Sequence, residues 1–460
     1  MSVMMDLLSA ARATAGKLLG DNRTFCGVST DSRRVADGEL FVALRGDNFD
    51  GHEYVAAAAA RGAVAAVVAA DAAEGLQALG VPLVQVAETR LSLGALAADW
   101  RGRFTLPLIA VTGSNGKTTT KEMIASILNT AFSEAVLSTH GNYNNDIGLP
   151  LTLLRLNAAH RAAILEMGMN HPGEIAYLAG IARPTVALVT NAQRAHLAGM
   201  GSLEAIAAEK GSIYSGLDES GVAVFNADDA WSALWRDQSR GLATMTFGFE
   251  QPAEVTGRFY LHGLESRLSV CAPGGQFEVL LALPGQHNAR NALAAATACL
   301  AAGVSLADVQ AGLASFRGLK GRLQQRPALQ GAVLLDDTYN ANPDSVRAGI
   351  DVLAAMIGKT ILVLGDMGEI GEMSAQFHDE IGGYAKSQGI DRLLTLGEAS
   401  ALVAHNFGAG GEHFTEIDTL ITALSAELTP ETTVLVKGSR FMRMERVADA
   451  ISVSAPGRGA

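Results

Sequence analysis

The sequence predicts an α/β protein of three domains, in which a central, mainly parallel sheet is flanked by a small N-terminal α/β domain and a C-terminal Rossmann-like domain. Three observations predict this fold class. The 460 residues exceed the usual length of one domain, 48% of them are apolar and can fill several cores, and short apolar runs alternate with helical patterns. Strands separated by helices imply right-handed crossovers between parallel strands. We place the domains at residues 1–104, 105–320 and 321–460.

Composition narrows the classes of function. The chain carries 35 Lys and Arg against 47 Asp and Glu, a formal net charge of −12, which disfavours a protein that coats nucleic acid. The three cysteines are far apart and not spaced for a metal, which indicates a reducing compartment. The first residues lack a signal-peptide pattern, and no apolar run is long enough to cross a bilayer. We therefore expect a cytoplasmic protein without membrane insertion.

The N-terminal domain reads as short strands and helices. Residues 55–70 are mostly Ala and Val, interrupted by Arg61 and Gly62, and this pattern predicts a buried helix that leads into a strand. Residues 29–53 are polar and rich in turn-forming residues. A surface loop would have the same composition, so composition alone leaves the role of this segment open.

The central domain begins near Leu106. Its predicted strands are AVLST, AAILEMG, TVALVTN and GVAVFN, with the helices GEIAYLAGIA and SLEAIAAEKGSIYSGL between them. In residues 257–283 strand-forming residues alternate, and Gly residues stand at the turns, which predicts a β-ribbon. The helix NARNALAAATACLAAG is predicted to follow the ribbon. The predicted strands of the C-terminal domain are AVLLDD, TILVLGD, RLLTLG and TTVLVKG. We expect the tail SAPGRGA to be disordered.

A glycine-rich segment, VTGSNGKTTT at residues 111–120, lies between a predicted strand and a helical pattern. Gly113 and Gly116 let backbone N–H groups approach phosphate oxygens. Lys117 offers a positive charge to the β- and γ-phosphates, and Thr118 offers a hydroxyl to magnesium. The first glycine of the full Walker pattern is absent, and a turn with an incidental lysine is the alternative interpretation. Because strand, loop and helix occur together, the segment predicts an ATP site.

Glu166 ends the predicted central strand AAILEMG. The carboxyl end of a parallel strand faces the crevice in which ligands bind, so a carboxylate there can hold a magnesium ion. An exposed acid at a strand end is the alternative interpretation. No apolar run ending in Asp accompanies the loop, which disfavours a motor or switch ATPase.

Five segments occur in a characteristic order, namely TGSNGKTTT, EMGMNHPGEI, TNAQRAHL, AAEKGSIY and GQHNARNALAA. Together they resemble the Mur ligases, the ATP-dependent amide-forming enzymes of peptidoglycan precursor synthesis, which also resemble folylpolyglutamate synthetase. The matching blocks extend from Ser29 to Arg446. Four further segments are similar to the family member that adds D-alanyl-D-alanine, namely GNYNNDIGLPLTLL, DDTYNANPDSV, LGDMGEIGEMSAQFHDEIG and KGSRFMRMERV. The DNPR motif of the ligase that adds the third peptide residue is absent, and NANPDS stands at 340–345 instead.

The resemblance implies ATP as co-substrate, two Mg²⁺ ions and a set of catalytic residues. Lys117 would contact the β- and γ-phosphates, while Thr118, Glu166, His196 and Lys210 would serve as metal ligands. Lys210 would act as a carbamate, because carbamylation turns an ammonium into the oxygen donor that Mg²⁺ prefers. Judged alone, His196 is better explained as a loop residue bonded to backbone, and Lys210 as an exposed helix residue.

The resemblance also implies an ATP site shared between two domains. The ATP-binding residues would be Gly113, Ser114, Asn115, Gly116, Lys117, Thr118, Thr119, Asn288, Arg290, Arg322, Asp337, Tyr339 and Asn340. Asn288 and Arg290 lie at the start of an Ala-rich helix, so a helix cap is a second explanation for them. Closure of the two domains would exclude water from a reactive acyl phosphate.

The polar segment of the N-terminal domain resembles the UDP-binding region of these ligases. The residues assigned to the UDP-sugar are Ser32, Arg33, Asp50, Gly51 and His52. Arg and backbone N–H groups suit a diphosphate. Asn144 and Asn145, shortly after the loop helix, would meet the sugar or the peptide arm.

The implied substrates are UDP-N-acetylmuramoyl tripeptide, D-alanyl-D-alanine and ATP, and the products are the UDP-linked pentapeptide, ADP and phosphate. We expect a monomer. Another family member that adds a single amino acid, or a folylpolyglutamate synthetase-like ligase, would keep the same loop and metal residues. An ATP-binding regulatory protein or a scaffold would not need Lys117, Glu166, His196 and Lys210 together. The third tripeptide residue, diaminopimelate or lysine, stays open.

Overall fold

A computed structural model describes residues 3–262 and 264–453, so the predicted disorder of the tail SAPGRGA falls outside the described residues. Three sheets built from successive stretches of the chain dominate the structure. The predicted fold class, three α/β units with a mainly parallel central sheet, is confirmed. Within the described residues, no helix is both long and apolar enough to cross a membrane.

Among its described residues, the N-terminal unit contains nine short strands and four α-helices. They are Met5–Asp6 (β1), Leu7–Ala13 (α1), Lys17–Leu19 (β2), Thr24–Phe25 (β3), Gly27–Ser29 (β4), Glu39–Val42 (β5), Arg45–Gly46 (β6), Phe49–Asp50 (β7), Val55–Ala60 (α2), Ala65–Ala69 (β8), Ala70–Leu76 (α3), Leu83–Val86 (β9) and Thr89–Arg101 (α4). The main sheet has the order β2-β9-β8-β5-β4, and only its edge strand β2 is antiparallel. The predicted helix and strand in residues 55–70 are present as α2 and β8.

In the part of the central unit that the structure describes, there are nine strands and eight α-helices. They are Leu108–Thr112 (β10), Lys117–Phe132 (α5), Val136–Ser138 (β11), Gly148–Leu153 (α6), Ala162–Glu166 (β12), Glu174–Ala182 (α7), Val186–Val189 (β13), Leu197–Met200 (α8), Leu203–Gly211 (α9), Val222–Asn226 (β14), Ser232–Gln238 (α10), Ala243–Gly248 (β15), Val255–His262 (β16), Glu265–Ala272 (β17), Gly275–Leu281 (β18), Gln286–Ala301 (α11) and Leu306–Ser315 (α12). All nine strands form one sheet in the order β11-β12-β10-β13-β14-β15-β16-β17-β18. The predicted ribbon is the antiparallel set β16, β17 and β18 at its end.

Up to residue 453, where the described residues end, the C-terminal unit contains six strands and five α-helices. They are Gln324–Pro327 (β19), Val333–Asp337 (β20), Pro343–Ala354 (α13), Lys359–Gly365 (β21), Ser374–Ser387 (α14), Arg392–Leu396 (β22), Ala401–Phe407 (α15), Gly411–Phe414 (β23), Ile417–Glu427 (α16), Thr432–Lys437 (β24) and Glu445–Ile451 (α17). The sheet order is β19-β20-β24-β21-β22-β23, with only β19 antiparallel. Sequence patterns did not indicate β15, β19 and β23, which are partly exposed and lack a continuous apolar run.

Burial explains why the central strands read as continuous apolar runs. Every residue of β10 and β12 is buried, because helices cover both faces of the sheet. The N-terminal unit packs on the central one through α4, which contacts α6 and α7. Trp100 Nε1 donates to the Leu156 carbonyl at 3.0 Å, and Arg101 Nε donates to the Ala182 carbonyl at 3.0 Å. The connections at 102–107 and 316–323 contain our predicted domain boundaries, which remain predictions.

Candidate active site

A cavity of about 680 Å³ lies where the central and C-terminal units meet. It opens at the carboxyl ends of the parallel strands, where ligands bind in open α/β sheets. The central unit contributes the loop before α5, and the C-terminal unit contributes residues that follow β20 and β21. Arg90 on α4 is the contribution from the N-terminal unit among the described lining residues. All three units therefore border one site.

The predicted phosphate loop connects β10 to α5. A Cβ atom at Gly113 would lie 1.9 Å from Thr190 Oγ1, and one at Gly116 would lie 2.2 Å from Asn291 Oδ1, so neither position has room for a side chain. Gly116 also has a φ of +80°, which favours glycine. The two glycines thus hold the loop tightly against β13 and α11. Ser114, Asn115, Gly116, Thr118 and Thr119 line the cavity, whereas Gly113 does not.

Lys117 lies at the start of α5 and folds back over the loop. Its Nζ donates to the carbonyls of Gly113 at 2.6 Å and Ser114 at 3.1 Å. Burial lowers the pKa of Lys117, and the nearby charge of Glu166 opposes this effect. The ammonium has no carboxylate within ion-pair distance among the described residues. It therefore remains available to an anion in the cavity.

Arg322 of the C-terminal unit reaches the same loop. Its guanidinium lies over the Tyr339 ring at 3.9 Å, and its Nη2 donates to Thr118 Oγ1 at 3.4 Å. Its Nε is buried without a hydrogen-bond partner. Burial lowers the pKa of Arg322, and the carboxylate of Asp337 opposes this effect. An unpartnered buried donor beside a phosphate loop suits an anionic ligand.

Glu166 ends β12, directly beside β10, with Val111 as its register partner. Only 2% of the residue is exposed. Its Oε1 accepts a hydrogen bond from Asn144 Nδ2 at 2.8 Å, while Oε2 is buried with no partner. An unpaired carboxylate oxygen is costly to bury, and a bound cation would satisfy it.

His196 and Lys210 differ in their relation to the cavity. His196 lines it, and its Nδ1 lies 3.0 Å from Oε2 of Glu369 in the C-terminal unit. Lys210, on α9, does not line it and is only 1% exposed, which excludes the exposed helix face that is ordinary for lysine. Burial lowers the pKa of Lys210 well below its ordinary value, and the nearby charge of Lys117 adds to the effect.

The predicted nucleotide residues on α11 and in the C-terminal unit meet in the cavity. Asn288, Arg290, Arg322, Asp337, Tyr339 and Asn340 all line it. Asn288 Nδ2 also donates to the Pro284 carbonyl at 2.8 Å, so it stabilises the start of α11 as well. Arg290 lies 3.9 Å from Asp228 and has a buried Nε without a partner. Asp337 is already held by Lys437 Nζ at 2.5 Å.

The residues predicted to bind the UDP-sugar lie outside this cavity. Ser32, Arg33, Asp50, Gly51 and His52 are absent from its lining. His52 Nε2 accepts from the Ala69 amide at 2.9 Å and Nδ1 lies 2.5 Å from Asp50 Oδ1, so both ring nitrogens are already engaged in the fold. Arg33 is exposed and paired with Asp31 at 2.9 Å. Their ligand roles stay predictions.

Asn144 and Asn145 both line the cavity, beside Glu166. Asn144 binds Glu166, and Asn145 Oδ1 accepts from the Gly148 amide at 2.9 Å at the start of α6. Nearby, Arg90 forms a bidentate ion pair with Asp146, which joins the N-terminal and central units at the edge of the cavity. Neither of these charged residues was identified from the sequence.

The segment after β13 carries contacts that sequence reasoning missed. Asn191 and Gln193 hydrogen-bond to Asn115 of the phosphate loop, and Arg194 forms ion pairs with Asp344 and Glu380 of the C-terminal unit. The motif TNAQRAHL contains three of these residues, so the motif itself was the signal. Its partners lie far along the chain and had no local signal.

Among the described residues, no three His, Cys, Asp or Glu side chains form a metal-binding cluster. The residues present fit Mg²⁺ in a different way. Mg²⁺ is commonly held by one or two carboxylates together with substrate phosphates and water rather than by a protein cage. The unpaired Glu166 Oε2 supplies such a carboxylate oxygen beside the phosphate loop.

Family comparisons agree with this architecture. Models described as "Mur ligase family, catalytic domain", "Mur ligase middle domain" and "Mur ligase, glutamate ligase domain" match residues 24–101, 111–299 and 321–440. The chain belongs to the Mur ligase family. The three matches follow the order of the three sheets and cover most of the chain.

Relatives of known name resemble this Mur ligase along its whole length. A UDP-N-acetylmuramoyl-tripeptide--D-alanyl-D-alanine ligase of Haemophilus influenzae is 40% identical over 97% of this chain and 98% of its own. The ligase of the same name from Escherichia coli is 41% identical over 95% of this chain and 96% of its own. The match therefore includes all three units rather than the ATP-binding part alone.

Solved structures agree with the fold. MurF from Acinetobacter baumannii superposes with a TM-score of 0.90 at 34% identity, covering 98% of this chain and 99% of its own. MurF from Thermotoga maritima in complex with ADP gives 0.79 at 28% identity, covering 92% and 96%. A folylpolyglutamate synthase from Mycobacterium tuberculosis, at 17% identity and a TM-score of 0.63, shares the fold alone.

Proposed function

We propose that this Mur ligase joins D-alanyl-D-alanine to UDP-N-acetylmuramoyl tripeptide, with cleavage of ATP to ADP and phosphate. The product is the UDP-linked pentapeptide, a precursor of peptidoglycan. The observation that carries the proposal is the full-length match to ligases of this name, at 40% and 41% identity. The cavity supports it, because a phosphate loop and an unpaired carboxylate lie where three units meet.

The reaction starts when a carboxylate of the tripeptide attacks the γ-phosphate of ATP and forms an acyl phosphate, with ADP as leaving group. Two anions approach each other in this step, so positive charge must offset their repulsion. Lys117 would supply it to the phosphates, together with the backbone N–H groups at the start of α5. Arg322, buried against Tyr339, would supply a second cation from the C-terminal unit.

In the second step the amine of D-alanyl-D-alanine attacks the acyl carbon, loses a proton and displaces phosphate through a tetrahedral intermediate. An acyl phosphate that meets water would hydrolyse without forming the amide bond. Arg322, Asp337 and Tyr339 line the cavity from the C-terminal unit, so docking of this unit would exclude water from the intermediate.

We assign the Mg²⁺ ligands to Thr118, Glu166, His196 and a carbamylated Lys210. Bound Mg²⁺ would neutralise phosphate charge as it develops. Burial of Lys210 supports the carbamate, because a neutral amine reacts with carbon dioxide and an ammonium does not. Glu209, the residue before it, accepts amide hydrogens from Gly173 and Ile175, and this contact holds α9 against α7.

We assign the UDP-sugar to the N-terminal unit, with Ser32, Arg33, Asp50, Gly51 and His52 near its nucleotide. The peptide arm would then pass Asn144 and Asn145 to reach the phosphate loop. Asn144 supports this path, because it hydrogen-bonds to Glu166 and lines the cavity. We also propose that the ligase acts as a monomer in the cytoplasm, where ATP and nucleotide sugars are available.

Phosphate release with Mg²⁺-ATP and UDP-N-acetylmuramoyl tripeptide, with and without D-alanyl-D-alanine, tests this function. Strong release only with both substrates, together with a pentapeptide product identified by mass, is the expected result. Release with single amino acids, or only with a shorter nucleotide precursor, would overturn the assignment and move the ligase to a neighbouring step. Glu166→Gln is a useful companion variant, because the amide keeps the bond from Asn144 but weakens binding of a cation.

A further inference from the structure

His196 and Glu369 form a contact between the central and C-terminal units. His196 directly precedes α8, and Glu369 lies between β21 and α14. The His196 Nδ1 and Glu369 Oε2 atoms are 3.0 Å apart, and both residues line the cavity. Both have left-handed backbones, with φ of +59° and +60°, which is uncommon outside glycine. Such conformations persist where the surrounding structure imposes them, often at ligand sites.

The Glu369 carboxylate beside Nδ1 favours one position for the proton on the His196 ring. Because a carboxylate oxygen offers only lone pairs, its position 3.0 Å from Nδ1 favours the tautomer that carries the hydrogen on Nδ1. In a neutral imidazole Nε2 then has a free lone pair. No hydrogen bond to this Nε2 is present within residues 3–262 and 264–453. Its lone pair is therefore available to a ligand in the cavity.

We propose that Glu369 is a positioning residue that holds His196 as the Nδ1–H tautomer, with Nε2 available to Mg²⁺. The inference rests on the metal role of His196 in the proposed function. Carboxylates that accept the second N–H of a metal-binding histidine set both its tautomer and its ring orientation. Because Glu369 belongs to the C-terminal unit, the histidine is prepared for the metal only when this unit is docked.

Neighbouring contacts hold the two residues in register. Arg194, two residues before His196, is bound by Asp344 and Glu380 of the C-terminal unit. Two residues after His196, the amide of Ala198 donates to the Glu369 carbonyl at 3.4 Å. The segment is thus attached to the C-terminal unit on both sides of the histidine.

A role in stability alone does not account for Glu369. Its side chain is 64% exposed, and exposed ion pairs contribute little to the free energy of folding. The carboxylate instead lies at the wall of the cavity, beside the ring of His196.

The test compares Glu369→Ala and Glu369→Gln in the full chain, with Glu372→Gln as matched control. Glu372 is an exposed acid three residues further along, in the same connection between β21 and α14. Nitrogen NMR of ¹⁵N-histidine-labelled, metal-free protein reports the tautomer, and His196→Gln identifies the signal. Electron paramagnetic resonance with Mn²⁺ and ADP measures metal affinity without reference to turnover.

We expect the Nδ1–H tautomer in the wild type and in Glu372→Gln, and its loss in Glu369→Ala. Glu369→Gln should retain it, because the amide oxygen still accepts from Nδ1–H. Mn²⁺ affinity should fall about 10-fold or more in Glu369→Ala, the usual effect of removing such a partner. A wild-type Nε2–H tautomer, or unchanged Mn²⁺ affinity in Glu369→Ala, would overturn the inference.

The experiment separates this inference from the proposed function. If His196→Gln weakens Mn²⁺ binding and Glu369→Ala does not, only the role of Glu369 is wrong. If His196→Gln also leaves Mn²⁺ binding unchanged, the metal role of His196 is wrong, and the inference that rests on it is wrong as well. A ligase that accepts other substrates in the phosphate-release assay would still show the tautomer, so that failure concerns the function alone.

Discussion

Arg194 of the central unit holds Asp344 of the C-terminal unit through both carboxylate oxygens, with Nη2 2.6 Å from Oδ1 and Nε 3.2 Å from Oδ2. The backbone amide of Arg194 donates to the same carboxylate at 2.8 Å. Its Nη1 reaches Glu380 at 2.9 Å, and the guanidinium lies over the Phe377 ring at 5.2 Å. One arginine thus connects the segment after β13 to the start of α13. The same segment hydrogen-bonds to the phosphate loop through Asn191 and Gln193.

Arg194→Ala should weaken docking of the C-terminal unit. Charge-assisted hydrogen bonds contribute roughly 1.5–3 kcal/mol, so we expect kcat/KM to fall by about 10-fold or more. Small-angle scattering with bound nucleotide should report a more open molecule. Arg240→Ala, which removes an exposed ion pair with Asp237, is the control. Wild-type kcat/KM in Arg194→Ala would contradict a role in docking.

Lys117→Ala should abolish ATP turnover, because the bound phosphates lose their charge partner. Phosphate release with all substrates measures the effect, and we expect less than about a tenth of wild-type turnover, since one such cation is commonly worth 100-fold or more. The exposed Lys17 provides the matched control, as Lys17→Ala should leave turnover unchanged. Turnover above a tenth in Lys117→Ala would make the phosphate assignment wrong.

Lys210→Ala should lose activity and recover part of it with short carboxylates such as acetate or propionate. The added carboxylate would occupy the space of the carbamate and supply its oxygen atoms. Lys121 is the control, since it is also buried but its Nζ is bound by the Thr139 carbonyl at 2.9 Å. Lys121→Ala should not be rescued. A folded Lys210→Ala variant that no carboxylate rescues would count against carbamylation.

His287 should make the protein less stable in acid. Burial lowers the pKa of His287 to about 4, with Asp337 opposing and Lys437 and Arg290 assisting. The unfolded chain, with an ordinary histidine, binds a proton below about pH 6.5 while the folded one does not until about pH 4. Stability therefore falls as the pH is lowered through this window, by at most about 3 to 4 kcal/mol.

Thermal unfolding between pH 7.5 and pH 5 checks the prediction for His287. His287→Gln should lose less stability over this range than the wild type, because glutamine does not titrate. His405→Gln is the control, since His405 is exposed on α15 and should not change the slope. Identical pH dependence in His287→Gln and the wild type would show that other groups cause the loss.

Local patterns predicted the strands that are buried on both faces. β10, β12 and β20 read as apolar runs because helices cover them. The sequence patterns did not predict β19 and β23, because each lies at an edge of the C-terminal sheet and is partly exposed. An edge strand needs no continuous apolar run, so its sequence does not distinguish it from a loop.

In the candidate site, too, local sequence predicts some features, while others depend on contacts made by the folded chain. The glycine-rich loop was predicted because a phosphate loop is a local structure, whose backbone N–H groups are set by a few consecutive residues. His52 shows the opposite case, since its pattern suggested a ligand contact but both ring nitrogens are engaged by Asp50 and Ala69. A motif names the residue types, whereas the hydrogen bonds of the folded chain decide which atoms remain free.

The sequence by itself determined the α/β class, the phosphate loop before α5 and the carboxylate at the end of β12. These features follow from residue spacing and from the rule that parallel strands share one carboxyl edge. Only the tertiary structure decided that Lys210 is buried, that Arg194 meets Asp344 150 residues away, and that Glu369 meets His196. Such contacts depend on how separately folded units dock, and no local spacing along the chain encodes that geometry.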